Sequence, residues 1–128
     1  MMYRFSKRLA LAAGLVLPIG ETWRRWGALW DYPPAYLDDL FIGAFFLYAL
    51  WVGRTESAVA TRTLCAAYGF AFAIALLPLA ASIASIQRPD PAGVSGGTAV
   101  VAKTIMMALA IAGLVGALRG PATNGSSS

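Results

Sequence analysis

Four long apolar stretches, separated by short polar segments, dominate the pattern of hydrophobic positions along this chain. Each approaches the roughly 20 residues that an α-helix needs to cross a bilayer. The third is the clearest, an apolar run from Thr63 to Ile86 interrupted by Pro78. The predicted spans are residues 7–27, 36–53, 62–87 and 98–118. The pattern therefore predicts an all-α integral membrane protein with four transmembrane helices in an antiparallel up-down bundle.

The segments between the predicted helices are short. They contain the helix-breaking or turn-forming residues Pro33, Pro34, Pro89, Pro91 and Gly93 to Gly97. No long linker or soluble repeat is present in the sequence. We therefore predict one transmembrane domain over residues 1–119, and a disordered C-terminal tail over the small and polar residues 120–128.

Composition supports a membrane protein. The chain has 128 residues, of which 59% are hydrophobic and 12% are charged, and its mean hydropathy is +0.66. Soluble domains are about 45–50% apolar and about 25% charged. A soluble chain of this size cannot bury so much apolar surface, so membrane lipids are the predicted surroundings.

The N-terminus resembles a secretory signal in one respect, because Arg4, Lys7 and Arg8 precede the apolar residues 9–20. Residues 21–25, with the sequence ETWRR, do not form a small-residue cleavage site. We therefore predict an uncleaved first span.

Basic residues indicate the orientation. With a cytoplasmic N-terminus, six of them lie inside, namely Arg4, Lys7, Arg8, Arg54, Arg62 and Arg119. Four lie towards the other side, namely Arg24, Arg25, Arg88 and Lys103. Since basic residues concentrate on the cytoplasmic side, this bias predicts a multi-pass protein of a bacterial-type inner membrane, with both termini cytoplasmic.

Charged residues at one depth form the candidate site. Measured along the helices from the basic residues at their inner ends, Glu21, Asp39 and Lys103 lie roughly 21, 22 and 24 Å up. In a hydrocarbon core of about 30 Å these positions fall in the outer third, where a charge is costly and is normally paired. Pro78 falls at the same level. The predicted intramembrane polar layer consists of Glu21, Arg24, Arg25, Asp38, Asp39 and Lys103.

Two interpretations of this layer remain open. Arg24 and Arg25 follow Glu21 by three and four residues, within reach along one helix surface, and Lys103 can approach the acids from the fourth helix. Alternatively, the charges are interfacial, with the basic side chains snorkelling to headgroups and Asp38-Asp39 capping the second helix.

Aromatic residues cluster near the same level. Trp23, Trp26 and Trp30 fall within an arc of about 60° on a helix, opposite the charged residues. Such tryptophans are typical of the aromatic belt at a membrane interface. The alternative is a platform for a lipid headgroup or an amphipathic ligand.

Small residues recur at four-residue spacing on two helices. They are Ala108, Ala112 and Gly116, with Gly113 beside them, on the fourth helix and Ala67, Ala71 and Ala75 on the third. Such rows allow close approach of another helix backbone. The sequence leaves open whether that helix belongs to the same chain or to another copy.

Missing residue types restrict the chemistry. The chain has no histidine and one cysteine, Cys65. This excludes haem ligation by histidine, a Ser-His-Asp triad, an intrachain disulfide and most zinc sites. No phosphate-binding glycine loop occurs, and the basic residues border the spans rather than forming a nucleic-acid surface. We therefore predict no catalytic residue, cofactor, metal or nucleic-acid partner.

Two functional classes fit these features. The first is a structural or accessory subunit that associates through small-residue helix faces, as a homo-oligomer or within a larger membrane complex. The alternative is a small transporter or proton- or ion-conducting protein that uses the polar layer. Dry, mutually paired charges would favour the first class, and a water-filled cavity reaching the layer would favour the second. A membrane enzyme is the least supported class, because no acid-base pair or nucleophile is recognisable.

Overall fold

The structure is a computed structural model that describes residues 1–27, 33–55, 57–88 and 95–121, with the backbone only for residues 33–35. Its helices are α1 (Met2–Arg24), α2 (Pro33–Val52), α3 (Ala58–Ala84) and α4 (Gly96–Leu118), and a short 3₁₀ helix, Gly53–Thr55, follows α2. The described residues include no β-strand. Trp30, Pro89, Pro91, Gly93 and residues 122–128 of the predicted tail lie outside the described residues.

The helix ends differ from the predicted positions by a few residues, each for a local reason. α2 begins at Pro33 because proline lacks only an amide that a first helical turn leaves unpaired anyway. The starts of α3 and α4 are set by serine caps. The side chain of Ser57 accepts a hydrogen bond from the Ala60 amide, and that of Ser95 accepts one from the Thr98 amide. α1 extends back to Met2, whose first turn packs against α4.

Three of the described helical segments are long and apolar enough to cross a membrane. They are Tyr36–Thr55, Ala58–Ala84 and Gly96–Leu118, with mean hydropathies of 1.4, 2.1 and 2.0. The protein is therefore a multi-pass membrane protein by the length and composition of its helices. α1 is also long, but charged residues near both of its ends limit its longest uncharged stretch to residues 9–20. Its composition alone does not mark it as a span.

α1 packs along α2 over most of its length. Near one end, the Lys7 ammonium donates a hydrogen bond of 3.0 Å to the Gly53 carbonyl. Near the other end, the hydroxyl oxygens of Thr22 and Tyr36 lie 3.0 Å apart. These contacts make α1 and α2 a helical hairpin.

The middle of this hairpin depends on a glycine. A Cβ atom at Gly43 would lie 2.2 Å from Cγ of Pro18 and 3.1 Å from the Gly14 carbonyl oxygen. No side chain fits at this position. Gly43 therefore lets α2 approach α1 at the proline, where α1 lacks one amide donor.

α3 and α4 form the second hairpin. The Lys103 ammonium on α4 donates a hydrogen bond to the Ser82 hydroxyl on α3. Deeper in the hairpin, Gly113 lies against the ring of Tyr68, where a Cβ atom would come within 2.2 Å of Cε1. This second hairpin is thus held by a polar contact at one level and by close packing at another.

A serine joins the two hairpins. Ser6 on α1 is fully buried. Its hydroxyl donates a hydrogen bond of 2.7 Å to the Gly113 carbonyl, and its own carbonyl accepts a hydrogen bond of 2.6 Å from the Tyr68 hydroxyl. The Tyr68 ring also packs edge-on against Phe46 of α2, with centroids 4.9 Å apart. Tyr68 therefore contacts all three of the other helices.

Burial is concentrated at one end of the bundle. We call that end, residues 2–14, 42–52, 58–71 and 107–118, the packed half, and the opposite end the open half. The buried residues of α1 are Tyr3, Ser6, Ala10 and Gly14, and those of α3 are Ala60, Leu64, Ala67 and Tyr68. None of these eight lies in the open half, where Gly96 and Ala99 of α4 are buried. Met106, two helical turns before Gly113 on the same face, is 46% exposed.

Most of the small residues in the two rows face the interior of this chain, whereas Ala108 is exposed. Ala67 and Gly113 are buried, and Ala71 packs against the core. Gly116 is also buried, with the Met2 carbonyl oxygen 2.7 Å from where a Cβ atom would lie. Most of the close approach that these residues permit is thus used within the fold.

The Gly113 contact yields a stability prediction. Gly113→Ala places a methyl group inside the Tyr68 ring volume, so we expect the free energy of unfolding to fall by about 1–3 kcal/mol. Gly69→Ala is the matched control, because a Cβ atom there would meet nothing within 4 Å. Thermal melting in detergent measures both. A Gly113→Ala midpoint equal to that of Gly69→Ala would contradict the packing of Tyr68 on α4.

Candidate functional site

The best-defined charged site lies near the C-terminal end of α1. The Arg24 guanidinium donates two hydrogen bonds to the Glu21 carboxylate, at 2.6 and 3.0 Å, and the Arg25 guanidinium donates another to the same carboxylate. The Glu21 side chain is 11% exposed and that of Arg25 is 19% exposed, whereas that of Arg24 is 49% exposed. One partly buried carboxylate is thus held by two cations.

This arrangement follows from helix geometry. Residues three and four positions apart lie beside each other on a helix surface, and an acid that precedes its basic partners has the favourable order. The Arg24 pair is bidentate, which fixes the orientation of the carboxylate as well as its charge. The local sequence is sufficient to bring these three side chains together.

Thr22 links this charged site to α2. Its hydroxyl donates a hydrogen bond of 2.7 Å to the Pro18 carbonyl within α1. Because the hydroxyl proton is used there, the Tyr36 hydroxyl on α2 is the donor in the 3.0 Å contact between the two side chains. The first turn of α2 is thereby connected to the end of α1.

Asp39 lies one turn further along α2 and is half-buried, whereas its neighbour Asp38 is exposed. The Asp39 carboxylate is close enough to interact electrostatically with Glu21, Asp38, Arg24 and Arg25. No hydrogen bond to it comes from the described residues. Asp39 therefore lies in the same charged region, but no hydrogen bond from the described residues fixes its carboxylate. We call Glu21, Arg24, Arg25 and Asp39, with Thr22 and Tyr36, the α1–α2 polar cluster.

Lys103 occupies a different part of the bundle. It is half-buried on α4, and its described contact is the hydrogen bond to Ser82 on α3. The structure thus brings four of the six predicted layer residues into the α1–α2 polar cluster. Asp38 lies at its exposed edge, and Lys103 belongs to the other hairpin. Pro78 is exposed on α3.

A groove runs beside the polar cluster. It has a volume of about 250 Å³ and is lined by Pro18, Ile19, Thr22, Trp23 and Trp26. The two tryptophan side chains at its edge are among the most exposed large apolar residues, with 82% and 79% exposure. The groove is open and mainly apolar, and Thr22 is the residue it shares with the polar cluster.

The groups present here are charged side chains, hydroxyls and an apolar surface. Among the described residues, no group of three or more histidine, cysteine, aspartate or glutamate side chains is placed to hold a metal ion. The Cys65 thiol is partly buried in α3, away from this cluster. The arrangement offers paired charges, one carboxylate without a described hydrogen bond, and an apolar groove.

Sequence reasoning missed four residues that organise this region and the fold. Thr22 and Tyr36 join α1 to α2, and Ser6 and Tyr68 join the two hairpins. One signal was available, because Tyr68 lies about 9 Å along its helix from Arg62, inside an apolar run and away from the interface where tyrosine is common. A buried tyrosine hydroxyl needs a partner, and that need points to another helix.

Comparison with protein-family models, with curated proteins and with solved structures finds no match to this chain.

Substitutions at Glu21 test whether its ion pairs contribute to stability. Glu21→Ala removes the ion pair with the mostly buried Arg25, so we expect a loss of about 1–2 kcal/mol, between the values for exposed and buried pairs. Glu21→Gln retains hydrogen bonding and should lose less. Combining Glu21→Ala with Arg25→Gln should recover part of the loss, because the mostly buried cation is removed together with the carboxylate that it contacts.

Arg24→Gln in the Glu21→Ala background is the matched control, since Arg24 is half-exposed and should recover less. Thermal melting in detergent compares the variants. Equal midpoints for the wild type and Glu21→Ala would mean that these charges are solvated and contribute no stability.

Proposed function

We propose that this chain is a small structural or accessory membrane protein whose four helices, α1 included, cross a bacterial-type inner membrane as an antiparallel up-down bundle with both termini in the cytoplasm. α1 supports this arrangement because it packs along α2 and supplies Ser6 to the core. Because α1 contacts the apolar helices α2, α3 and α4, we place it at the same depth in the membrane as those helices. The excess of basic residues at the ends that hold both termini supports the orientation.

One observation carries the structural role. The Glu21 carboxylate is held by Arg24 and Arg25 of the same helix, and Lys103 is held by Ser82 within its own hairpin. Charged side chains that keep fixed partners inside the chain favour a structural role, whereas transport requires charges that exchange partners with a passing ion.

Association uses a surface other than the rows of small residues that form the core. Gly69 and Ala73 on α3 are four residues apart, Ala73 is exposed, and a Cβ atom at Gly69 would meet nothing within 4 Å. Small residues at this spacing let a second helix come close. We assign this face of α3 to contact with another copy or with another subunit of a membrane complex.

The alternative function is a small transporter or a proton- or ion-conducting protein. Asp39 favours it, because a half-buried carboxylate that receives no hydrogen bond from the described residues can exchange a proton or a cation. Proton or sodium flux into liposomes that contain the purified protein, abolished by Asp39→Asn, would support conduction. Absence of flux in the wild-type protein would favour the structural role.

The orientation has a direct test. Reporter fusions after Thr55 and after Ser128 should report the cytoplasm, and a fusion after Gly27 should report the opposite side. The last fusion is decisive for α1, since it reports the opposite side only if α1 crosses the membrane. A cytoplasmic signal from the Gly27 fusion would contradict the four-span arrangement.

Association through α3 has a separate test. Gly69→Leu should abolish the oligomer or the co-purification of a partner from native membranes while leaving the melting midpoint unchanged, because no described atom beyond its own stretch of helix lies within 4 Å of a Cβ atom there. Gly20→Leu is the control, since Gly20 is an equally open glycine on α1. Light scattering with size exclusion measures the particle mass. A wild-type monomer without a partner, or an oligomer unaffected by Gly69→Leu, would refute this assignment.

A further inference from the structure

Asp39 is the one acid of the α1–α2 polar cluster whose carboxylate the described residues leave without a hydrogen bond. Glu21, in contrast, accepts three hydrogen bonds from Arg24 and Arg25. A carboxylate in a membrane-spanning segment is costly unless a cation or a donor accompanies it. The half-buried Asp39 carboxylate can therefore accept hydrogen bonds from a further donor, which a bound ligand can supply.

The charges around Asp39 also indicate a cationic ligand. Three carboxylates, those of Glu21, Asp38 and Asp39, interact with two guanidinium groups, those of Arg24 and Arg25. With the exposed Asp38 at the edge of the cluster counted, the described charges of this region have an excess of one negative charge. A ligand with one cationic group complements it, whereas an anionic headgroup does not.

The groove next to the cluster indicates that the ligand is amphipathic. Its wall is made mainly of Pro18, Ile19, Trp23 and Trp26. Thr22 also lines the groove, contacts Tyr36 on α2, and so connects the groove to the helix turn that precedes Asp39. Exposed tryptophans at the end of a transmembrane helix lie at headgroup depth, beside the glycerol region of the lipids.

We propose that the end of the α1–α2 hairpin binds a phospholipid whose headgroup carries a primary ammonium group, with Asp39 accepting hydrogen bonds from the ammonium and the Pro18–Trp26 groove holding the apolar part of the lipid. This inference rests on the proposed function, because the four-span arrangement places Asp39 in the outer leaflet. A lipid is favoured over a metal ion because the described residues include no metal-binding group of acids. The headgroup chemistry also follows from the site, since a methylated ammonium lacks the donors that a carboxylate accepts.

The test compares three synthetic lipids with identical acyl chains, phosphatidylethanolamine, phosphatidylcholine and phosphatidylglycerol. Native mass spectrometry of the purified full chain in mild detergent measures the occupancy of each. We expect wild-type protein to bind phosphatidylethanolamine at least about tenfold more tightly than phosphatidylcholine, as a charge-assisted hydrogen bond implies. Asp39→Asn should reduce that preference to about twofold or less.

Asp38→Asn is the matched control, because it removes the same charge from the neighbouring, exposed position. It should retain a preference several times larger than that of Asp39→Asn. The wild-type comparison of the two zwitterionic lipids needs no variant, so it holds even if Asp39→Asn does not fold.

Three outcomes overturn the inference. They are equal binding of phosphatidylethanolamine and phosphatidylcholine, strongest binding of phosphatidylglycerol, and a preference that Asp38→Asn removes while Asp39→Asn retains it. Sodium adducts that depend on Asp39, without lipid preference, would assign the carboxylate to ion conduction instead. The reporter fusion after Gly27 tests the four-span arrangement separately, so its failure is distinguishable from a failure of lipid selectivity.

Discussion

The buried Ser6 side chain and backbone hold the two hairpins together. Its hydroxyl donates to the Gly113 carbonyl on α4, and its carbonyl accepts from the Tyr68 hydroxyl on α3. Between transmembrane helices the hydrophobic effect supplies little net attraction, because lipid tails are as apolar as leucine side chains. Close packing and interhelical hydrogen bonds decide the arrangement instead. Both operate here, since the contact exists only where Gly113 lets the Tyr68 ring lie against α4.

The hydrogen bonds of Ser6 lie at one end of the bundle, and this affects how the polar residues at the other end are organised. Among the described residues, the hydrogen bonds, aromatic contacts and close glycine contacts that join one hairpin to the other lie in the packed half. In the open half, the described hydrogen bonds between helices instead join the two helices of the same hairpin. The polar residues of the open half are therefore organised hairpin by hairpin. Glu21 finds its partners on its own helix, and Lys103 finds Ser82 on the adjacent one. The residues of the predicted charged layer thus fall into two separate arrangements.

The part of the candidate site that depends on local geometry could be predicted. Arg24 and Arg25 reach Glu21 because helical neighbours at three and four positions lie side by side whatever the surrounding fold. The environment of Asp39 could not be predicted in this way. It depends on which face of α2 packs against α1, and Gly43 opposite Pro18 decides that face. A small residue permits close approach without specifying the helix that approaches.

The sequence by itself determined that the chain is helical and membrane-embedded, because apolar length and the need to satisfy backbone groups in lipid leave few alternatives. The prolines and the turn-forming residues between the apolar runs also indicated where one helix is separated from the next. Only the tertiary structure decided that Gly113 and Gly116 face Tyr68, Ser6 and Met2 of the same chain rather than another copy. The physical reason is that helix pairing in a membrane depends on shape and hydrogen-bond complementarity between distant segments, which hydropathy and spacing do not encode.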